Sequence, residues 1–261
     1  MNKLSKLFSA KKPLIGMIHL PPLPGYPDYS GMDGVVKKAL KDLKVLEKAG
    51  FNGVLVENTD TPGFVAAPSE IKKAMKKVTK EVIRKSSLPV GMEIVYDMTA
   101  TINIAASLGC NFVRLDVFAD TVKTRWGIVP YSYKEVNKIL ASYSKKPLLL
   151  VDVHVKHAKL LSKKSLEKSI KISLKHGANG IIITGKWTGI EPKLEDLKQA
   201  RKVIGDKVPI IIGSGLNFTN TEKLLSLTDG AIVGTSIKTG DYIDFKKASD
   251  LAAIAKQSKN Y

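Results

Sequence analysis

VPIIIGSGLNFTN (208–220), followed closely by DGAIVGTS (229–236), decides how this chain is read. Each stretch begins as a short, β-branched, continuously apolar run and ends in glycine. A strand apolar on both faces belongs in a parallel sheet covered from both sides. Between the two runs, residues 219–227 have helical spacing, so this is a strand, turn, helix and second strand in immediate succession. Gly213, Ser214 and Gly215 follow one run, and Gly234, Thr235 and Ser236 follow the next. Glycines at two adjacent strand ends let backbone N–H groups approach an anion closely. A helix start capped by Asn217 or Thr219 adds a favourable dipole.

The same unit recurs outward from this point. Strands are predicted over 14–19, 53–58, 89–95, 112–117, 147–153, 180–184, 208–213 and 230–234. Helices are predicted over 33–49, 70–86, 98–108, 132–144, 164–176, 193–204, 219–227 and 244–257. Gly50, Gly109 and Gly177 follow helical runs, as helix-terminating glycines do. Pro89, Pro147 and Pro209 sit at strand starts, where a missing donor is tolerated. Eight such units in 261 residues point to a single-domain (β/α)₈ TIM barrel, with 1–12 as an N-terminal extension. An open doubly wound sheet is the runner-up, but no G-x-G-x-x-G follows the first strand. In barrels the loops after strands seven and eight recurrently cradle phosphate. Gly213, Ser214, Gly215, Gly234, Thr235 and Ser236 are therefore the candidate phosphate-binding residues. The alternative is that these glycines only make tight turns.

The C-terminal strand ends carry most of the polar residues of these runs. Strand one ends at His19 and strand two at Glu57-Asn58; strand three contains Glu93, with Asp97 beyond it. Strand four carries Arg114 and Asp116, and strand five Asp152 and His154, followed by Lys156 and His157. Alternation places Asp152 and His154 on one face. His154, Asp152, Asp116, Glu57 and His19 are the candidate catalytic residues, with His154 as general acid or base oriented by Asp152 or Asp116. The competing reading is an ion-pair layer, with Arg114 bonded to Asp116 or Asp152. These histidines and carboxylates are also of the types that hold a divalent metal, although their spacing names no ligand set. Lys156 or Lys186, if desolvated, could form a Schiff base. His157 and His176 read as supporting and helix-end residues. The connections 20–32, 59–69 and 118–131 are long and all follow strands, which suggests pocket walls.

The formal net charge is +18, from 42 basic and 24 acidic residues. Lys37, Lys38, Lys41 and Lys44, and Lys72, Lys73, Lys76 and Lys77, fall on the polar faces of amphipathic helices. Arginine is confined to Arg84, Arg114, Arg125 and Arg201. That pattern reads as a solvated lysine coat and disfavours a nucleic-acid surface. Cys110 is the only cysteine and reads as a buried thiol. No signal peptide or apolar span is evident, so a cytoplasmic location is expected.

The blocks GMIHLPPLPG (16–25), GVLVENTDTPGF (53–64), VDVHVKHA (151–158), TGKWTG (184–189), GSGLNFTN (213–220) and DGAIVGTSIKTG (229–240) resemble those of the BtpA/SgcQ family. The resemblance spans 16–240. It implies an aldolase-like TIM barrel related to ribulose-phosphate-binding barrels. One branch of that family is tied to photosystem I accumulation at thylakoid membranes, and another is labelled a nucleosidase. Strand three departs from the family pattern, reading GMEIVYDM (91–98) where an Asn-rich ending is usual, which alters one pocket wall. The expected function is an enzyme acting on a phosphorylated sugar or nucleoside-like metabolite. The alternative is a non-catalytic assembly factor for a membrane complex, with peripheral membrane contact through the basic surface. A flavin mononucleotide is the disfavoured occupant of the same cradle. Homo-oligomerisation is expected from the fold alone.

Overall fold

A computed structural model describes residues 3–58 and 65–257. Eight strands pair in parallel: β1 (Leu14–His19), β2 (Gly53–Glu57), β3 (Val90–Glu93), β4 (Phe112–Leu115), β5 (Leu148–Asp152), β6 (Gly180–Ile183), β7 (Ile210–Ile212) and β8 (Ala231–Val233). They close in the order β1-β8-β7-β6-β5-β4-β3-β2, with β1 paired to both β8 and β2. All eight predicted strands are present, β1 over the full predicted range and the others shortened at one or both ends.

The helices follow the strands they were predicted to follow: α2 (Met32–Ala49), α3 (Ser69–Lys85), α4 (Met98–Leu108), α5 (Tyr133–Ala141), α6 (Leu166–Lys175), α7 (Leu194–Ile204), α8 (Thr221–Leu225) and α9 (Phe245–Gln257). Gly50 and Gly109 end α2 and α4 with φ of 81° and 72°, in the left-handed region that favours glycine. Asp97 caps α4 by accepting from Ala100 N at 2.9 Å, so its role is structural. Cys110 is buried between α4 and β4, and burial pushes its thiol up to about 12. His176 ends α6 and stacks on Tyr133 at 3.8 Å.

The N-terminal extension contains one further helix, α1 (Lys3–Phe8), which plugs the base of the barrel. Leu4 and Phe8 join Ile15, Met17, Leu55, Phe112, Leu150, Ile182, Ile211 and Ile232 in one buried cluster. Phe8 meets Phe112 edge to face at 5.3 Å. Those strand residues are the inward-facing positions of a period-two pattern. Two residues further along each strand, the same inward direction carries His19, Glu57, Arg114, Asp152, Thr184, Gly213 and Gly234. Register confirms one level: His19 pairs Glu57, and Glu57 pairs Glu93, across β1, β2 and β3. The barrel interior is thus apolar below and polar at its C-terminal rim.

The exposed faces of α2 and α3 carry Lys37, Lys41, Lys44, Lys73, Lys76 and Lys77, as a lysine coat requires. Lys38 corrects that reading. It lies in register with buried Val35 and Asp42, and its side chain is buried, donating to Asp42 at 2.6 Å and to the His19 carbonyl at 2.5 Å. The connection after β4 folds into a hairpin of 122–124 and 127–129, to which 159–160 of the connection after β5 adds a third antiparallel strand beside the barrel mouth. Of the predicted 59–69 wall, residues 59–64 lie outside the described residues.

Candidate active site

The polar rim of the barrel floors a cavity of about 690 Å³ at the C-terminal ends of the strands. Arg114 stands at its centre. Its guanidinium binds Asp152 through two hydrogen bonds, Nε to Oδ2 at 2.8 Å and Nη2 to Oδ1 at 3.0 Å. It also lies 3.8 Å from Glu57 and 3.7 Å from Glu93. His19 Nε2 is 3.9 Å from the other Glu57 oxygen. Asp116 lies just past the end of β4 and accepts from the Tyr96 backbone N–H at 3.2 Å.

One guanidinium cannot neutralise four buried carboxylates, so protons remain on some of them. Burial holds the Glu93 carboxyl well above the usual range against the pull of Arg114, and the charges of Asp116 and Glu57 add to the rise. Burial pushes Asp116 up to about 6. Glu57 ends below its ordinary value: burial raises it, but His19, a hydrogen bond with Glu93, and Arg114 together outweigh burial. Burial lowers His19 to about 4, so its imidazole is neutral near pH 7. Within one small space the molecule holds carboxyls shifted in opposite directions, Glu57 downward and Glu93 and Asp116 upward, beside an imidazole that is neutral near pH 7. Such a separation of titration ranges is how acid and base roles are assigned among similar groups.

The glycine cradle faces the same cavity: Gly213, Ser214, Gly215, Gly234, Thr235 and Ser236 all line it. Gly215 has φ +78°, and a Cβ there would lie 2.2 Å from the Glu191 backbone nitrogen. At Gly234 a Cβ would lie 2.6 Å from His19 Cε1. Side chains at either position would displace the β6 connection or the imidazole. Ser214 Oγ is already engaged, accepting from Gly185 N at 3.0 Å and donating to the Ile190 carbonyl at 2.9 Å. It ties the β6 and β7 turns together. Helix α8 starts later than predicted, at Thr221, while Asn217 Oδ1 organises the turn before it by accepting from Thr219 N at 2.9 Å. Among the described residues, His19 Nδ1, Glu93 Oε2, Asp116 Oδ1 and Ser236 Oγ are buried without hydrogen-bond partners. All four belong to residues lining the cavity. Buried polar atoms in native proteins are normally bonded to protein or to ordered water, so a polar group entering this cavity would meet four open positions.

His154 is the main correction among the predicted catalytic residues. It is exposed, has φ +52°, and lies outside the cavity lining, its Nε2 3.4 Å from Ser169 Oγ on α6. Strand β5 ends at Asp152, so alternation does not extend two residues further, and the left-handed turn swings the imidazole outward. Asp152 is buried beneath the cavity and bonded to Arg114, which realises the ion-pair reading for that residue. Glu57, Asp116 and His19 are on the cavity. Glu93 was visible in the sequence without a role, although its register with Glu57 follows from simple alternation. Trp126 and Trp187 also line the cavity; His157, read as a supporting residue, joins this wall, with Nε2 2.9 Å from Thr188 Oγ1. Among the described residues no three His, Cys, Asp or Glu side chains are grouped to hold a metal ion.

The fold and site define a parallel (β/α)₈ barrel with an acid-lined mouth and glycine-lined strand ends on a single cavity. The chain belongs to the BtpA family, whose sequence pattern matches residues 10–257. An uncharacterized protein of Pyrococcus furiosus is 37% identical, with 96% of each chain covered. The photosystem I biogenesis protein BtpA of Synechocystis is 30% identical, over 90% of this chain and 83% of that one. Among solved structures, (S)-3-O-geranylgeranylglyceryl phosphate synthase from Thermoplasma acidophilum, in complex with sn-glycerol-1-phosphate, superposes with a TM-score of 0.64 at 11% identity, covering 98% and 99% of the two chains. Thiamine phosphate pyrophosphorylase from Pyrococcus furiosus superposes with a TM-score of 0.61 at 14% identity, covering 95% and 98%. At these identities the likeness is one of fold.

Proposed function

We propose that this protein is an enzyme acting on a phosphorylated small metabolite, a sugar phosphate or a nucleoside-like compound. Gly213, Gly215, Gly234, Thr235, Ser236 and the backbone of Ser214 hold the phosphate. Asp116, Glu93 and Glu57 handle protons beside it, with His19, whose imidazole lies against Gly234, between the two. The observation that carries this reading is the sharing of one cavity by the glycine cradle and four buried polar atoms that make no hydrogen bond among the described residues. The phosphate substrates and products named for the fold neighbours accord with it. N-glycosidic cleavage, isomerisation and aldol-type lysis all need a proton donor and acceptor flanking the reacting carbon, and this rim supplies both.

A thermal-shift screen against sugar phosphates, nucleosides and nucleotides, with and without divalent metals, tests the reading. A ligand at ~100 times its dissociation constant adds about 2.7 kcal/mol, which moves the melting point of a chain this size by several degrees. The expected result is a shift that requires the phosphate group. No shift from any phosphorylated compound removes the reading.

One relative favours a second reading, a non-catalytic factor for assembly of a membrane complex, because BtpA of Synechocystis is named for photosystem I biogenesis. The exposed lysines of α2 and α3 would then meet anionic lipid. Among the described residues no helix is long and apolar enough to cross a membrane. Flotation with anionic liposomes at physiological salt decides the lipid version; failure to float removes it. A cytoplasmic location and a homo-oligomer complete the enzyme reading, and fractionation and light scattering test them.

A further inference from the structure

The turn that removes His154 from the cavity brings a different residue into it. His154 and His157 both have positive φ, 52° and 59°, and the two residues between them point inward. Val155 is buried, and half-buried Lys156 lines the cavity. Other lysines drawn into the fold are tied down. Lys38 is bonded to Asp42 and the His19 carbonyl, Lys164 to the Ala119 carbonyl at 2.7 Å, and Lys247 to the Lys238 carbonyl at 2.8 Å. Among the described residues the Lys156 amine has neither a hydrogen bond nor an ion pair. It is an amine at the barrel mouth, within the field of buried acids and tied to none of them by a hydrogen bond among the described residues.

We propose that Lys156 is a nucleophilic amine that forms an imine with the carbonyl carbon of an open-chain phosphorylated aldehyde or ketone. This rests on reading the cavity as a phosphate-anchored active site, and it narrows the substrate class to carbonyl compounds. The neutral amine attacks the carbonyl carbon, a C–N bond forms, and the carbonyl π pair moves to oxygen. That oxygen takes a proton from the Asp116 or Glu93 carboxyl, and the nitrogen gives one up to the carboxylate left behind. The same carboxyl then protonates the hydroxyl, the nitrogen lone pair expels it as water, and the remaining N–H proton returns to the carboxylate, leaving the imine. Amine and carbonyl balance against imine and water, with no oxidant or reductant. The surroundings suit the step. Burial holds the Lys156 amine below the ordinary lysine value, the like charge of Arg114 adds to that, and Glu57, Asp152 and Glu93 pull the other way. Lys186, the other lysine of its type near this face, is exposed and lies 6.0 Å from the Trp187 ring, outside the cavity lining.

The test is reductive trapping on the full chain. The protein is incubated with dihydroxyacetone phosphate or glyceraldehyde 3-phosphate and sodium cyanoborohydride near neutral pH, then mapped by peptide mass spectrometry. Labelling of Lys156 is expected about ten-fold above the surface lysines, since a carbonyl anchored in the cavity is held at high effective concentration against this amine and not against exposed ones. Inorganic phosphate suppresses it, Lys186→Ala leaves it intact, and Lys156→Met abolishes it while retaining native circular dichroism. If inorganic phosphate raises the melting point but Lys156 is labelled no more than surface lysines, the imine inference falls and the phosphate reading stands. If phosphate neither stabilises the protein nor suppresses labelling, the phosphate reading falls as well.

Discussion

Arg114 and Asp152 face each other with two hydrogen bonds, 2.8 and 3.0 Å long, at the boundary between the apolar barrel interior and its polar rim. Both side chains are almost fully removed from solvent. The pair lies between adjacent strands, and the remaining faces of the guanidinium approach Glu57 and Glu93. Asp152 therefore acts as an anchor that fixes the cation, and the cation in turn sets the charge state of the carboxyls around it. Removing one partner strands the other as an uncompensated buried charge. Asp152→Leu is expected to lower stability by about 3–5 kcal/mol. The double variant Arg114→Leu/Asp152→Leu should lose much less than the sum of the two single variants. Urea unfolding of the four proteins measures the coupling, and additive losses would contradict the pairing.

The rim predicts two acid-side effects of opposite sign. Burial depresses the folded-state pKa of His19 to about 4, from 6.5. Its contribution to stability is therefore full above pH 6.5 and is lost as pH falls toward about 4, by on the order of 3 kcal/mol. Asp116 runs the other way. Its folded-state pKa of about 6 exceeds the ordinary 3.8, so its contribution is full below pH 3.8 and is lost as pH rises through about 6. His19→Asn should remove the acid-side loss, and Asp116→Asn should stabilise the protein above pH 6 relative to the natural chain. Unfolding midpoints from pH 3.5 to 8 measure both, and parallel curves for all three proteins would refute the assignments.

How far the sequence could be read follows from which interactions are local. The strands were legible because doubly covered parallel strands are apolar throughout and are punctuated by glycine and proline, as in IIIG (210–213) and GIIIT (180–184). His19 and Glu57 were legible because period-two alternation carries inward direction to the end of a strand, and Asp116, one residue past β4, keeps that direction because no left-handed residue intervenes. His154 failed for the same reason, since the period stops where the strand stops, at Asp152, and nothing in DVHVKHA marks the two left-handed residues. Lys38 failed because helical spacing tells a buried face from an exposed one only on average. A lysine at the edge of the buried stripe turns inward when an acid waits at i+4. The partnership of Glu93 with Glu57 depends on strand register, which no single strand encodes.

The cradle yields a contrast between two glycines. A Cβ at Gly215 meets backbone, the Glu191 nitrogen at 2.2 Å, and the site also has φ +78°. A Cβ at Gly234 meets a side chain, the His19 imidazole at 2.6 Å, at negative φ. Gly215→Ala should therefore cost about 1–3 kcal/mol of stability and abolish the phosphate-dependent thermal shift. Gly234→Ala should fold with a smaller penalty, because an imidazole can rotate, yet alter the titration of His19. Equal losses in both variants would mean that the turn after β8 is as rigid as the turn after β7.

Phe8 tests the separation of the two ends of the barrel. It reaches from α1 into the base of the interior, packs on Phe112, and lies at the end remote from the cavity floored by Arg114. Conserving function while losing stability is what a plug at the N-terminal end predicts, because ligand contacts in these barrels gather at the opposite face. Phe8→Ala removes a large buried ring and should cost about 3–5 kcal/mol, seen as a lower urea midpoint. The size of the thermal shift produced by a bound phosphate compound should be unchanged, since neither the glycine cradle nor the acid rim touches Phe8. A variant that kept its stability would show that the helix frays away from the barrel in solution. A variant that lost the ligand-dependent shift while still folded would show that packing at the base is transmitted through the Phe112 and Met17 layer to the rim, and that the two ends are not independent.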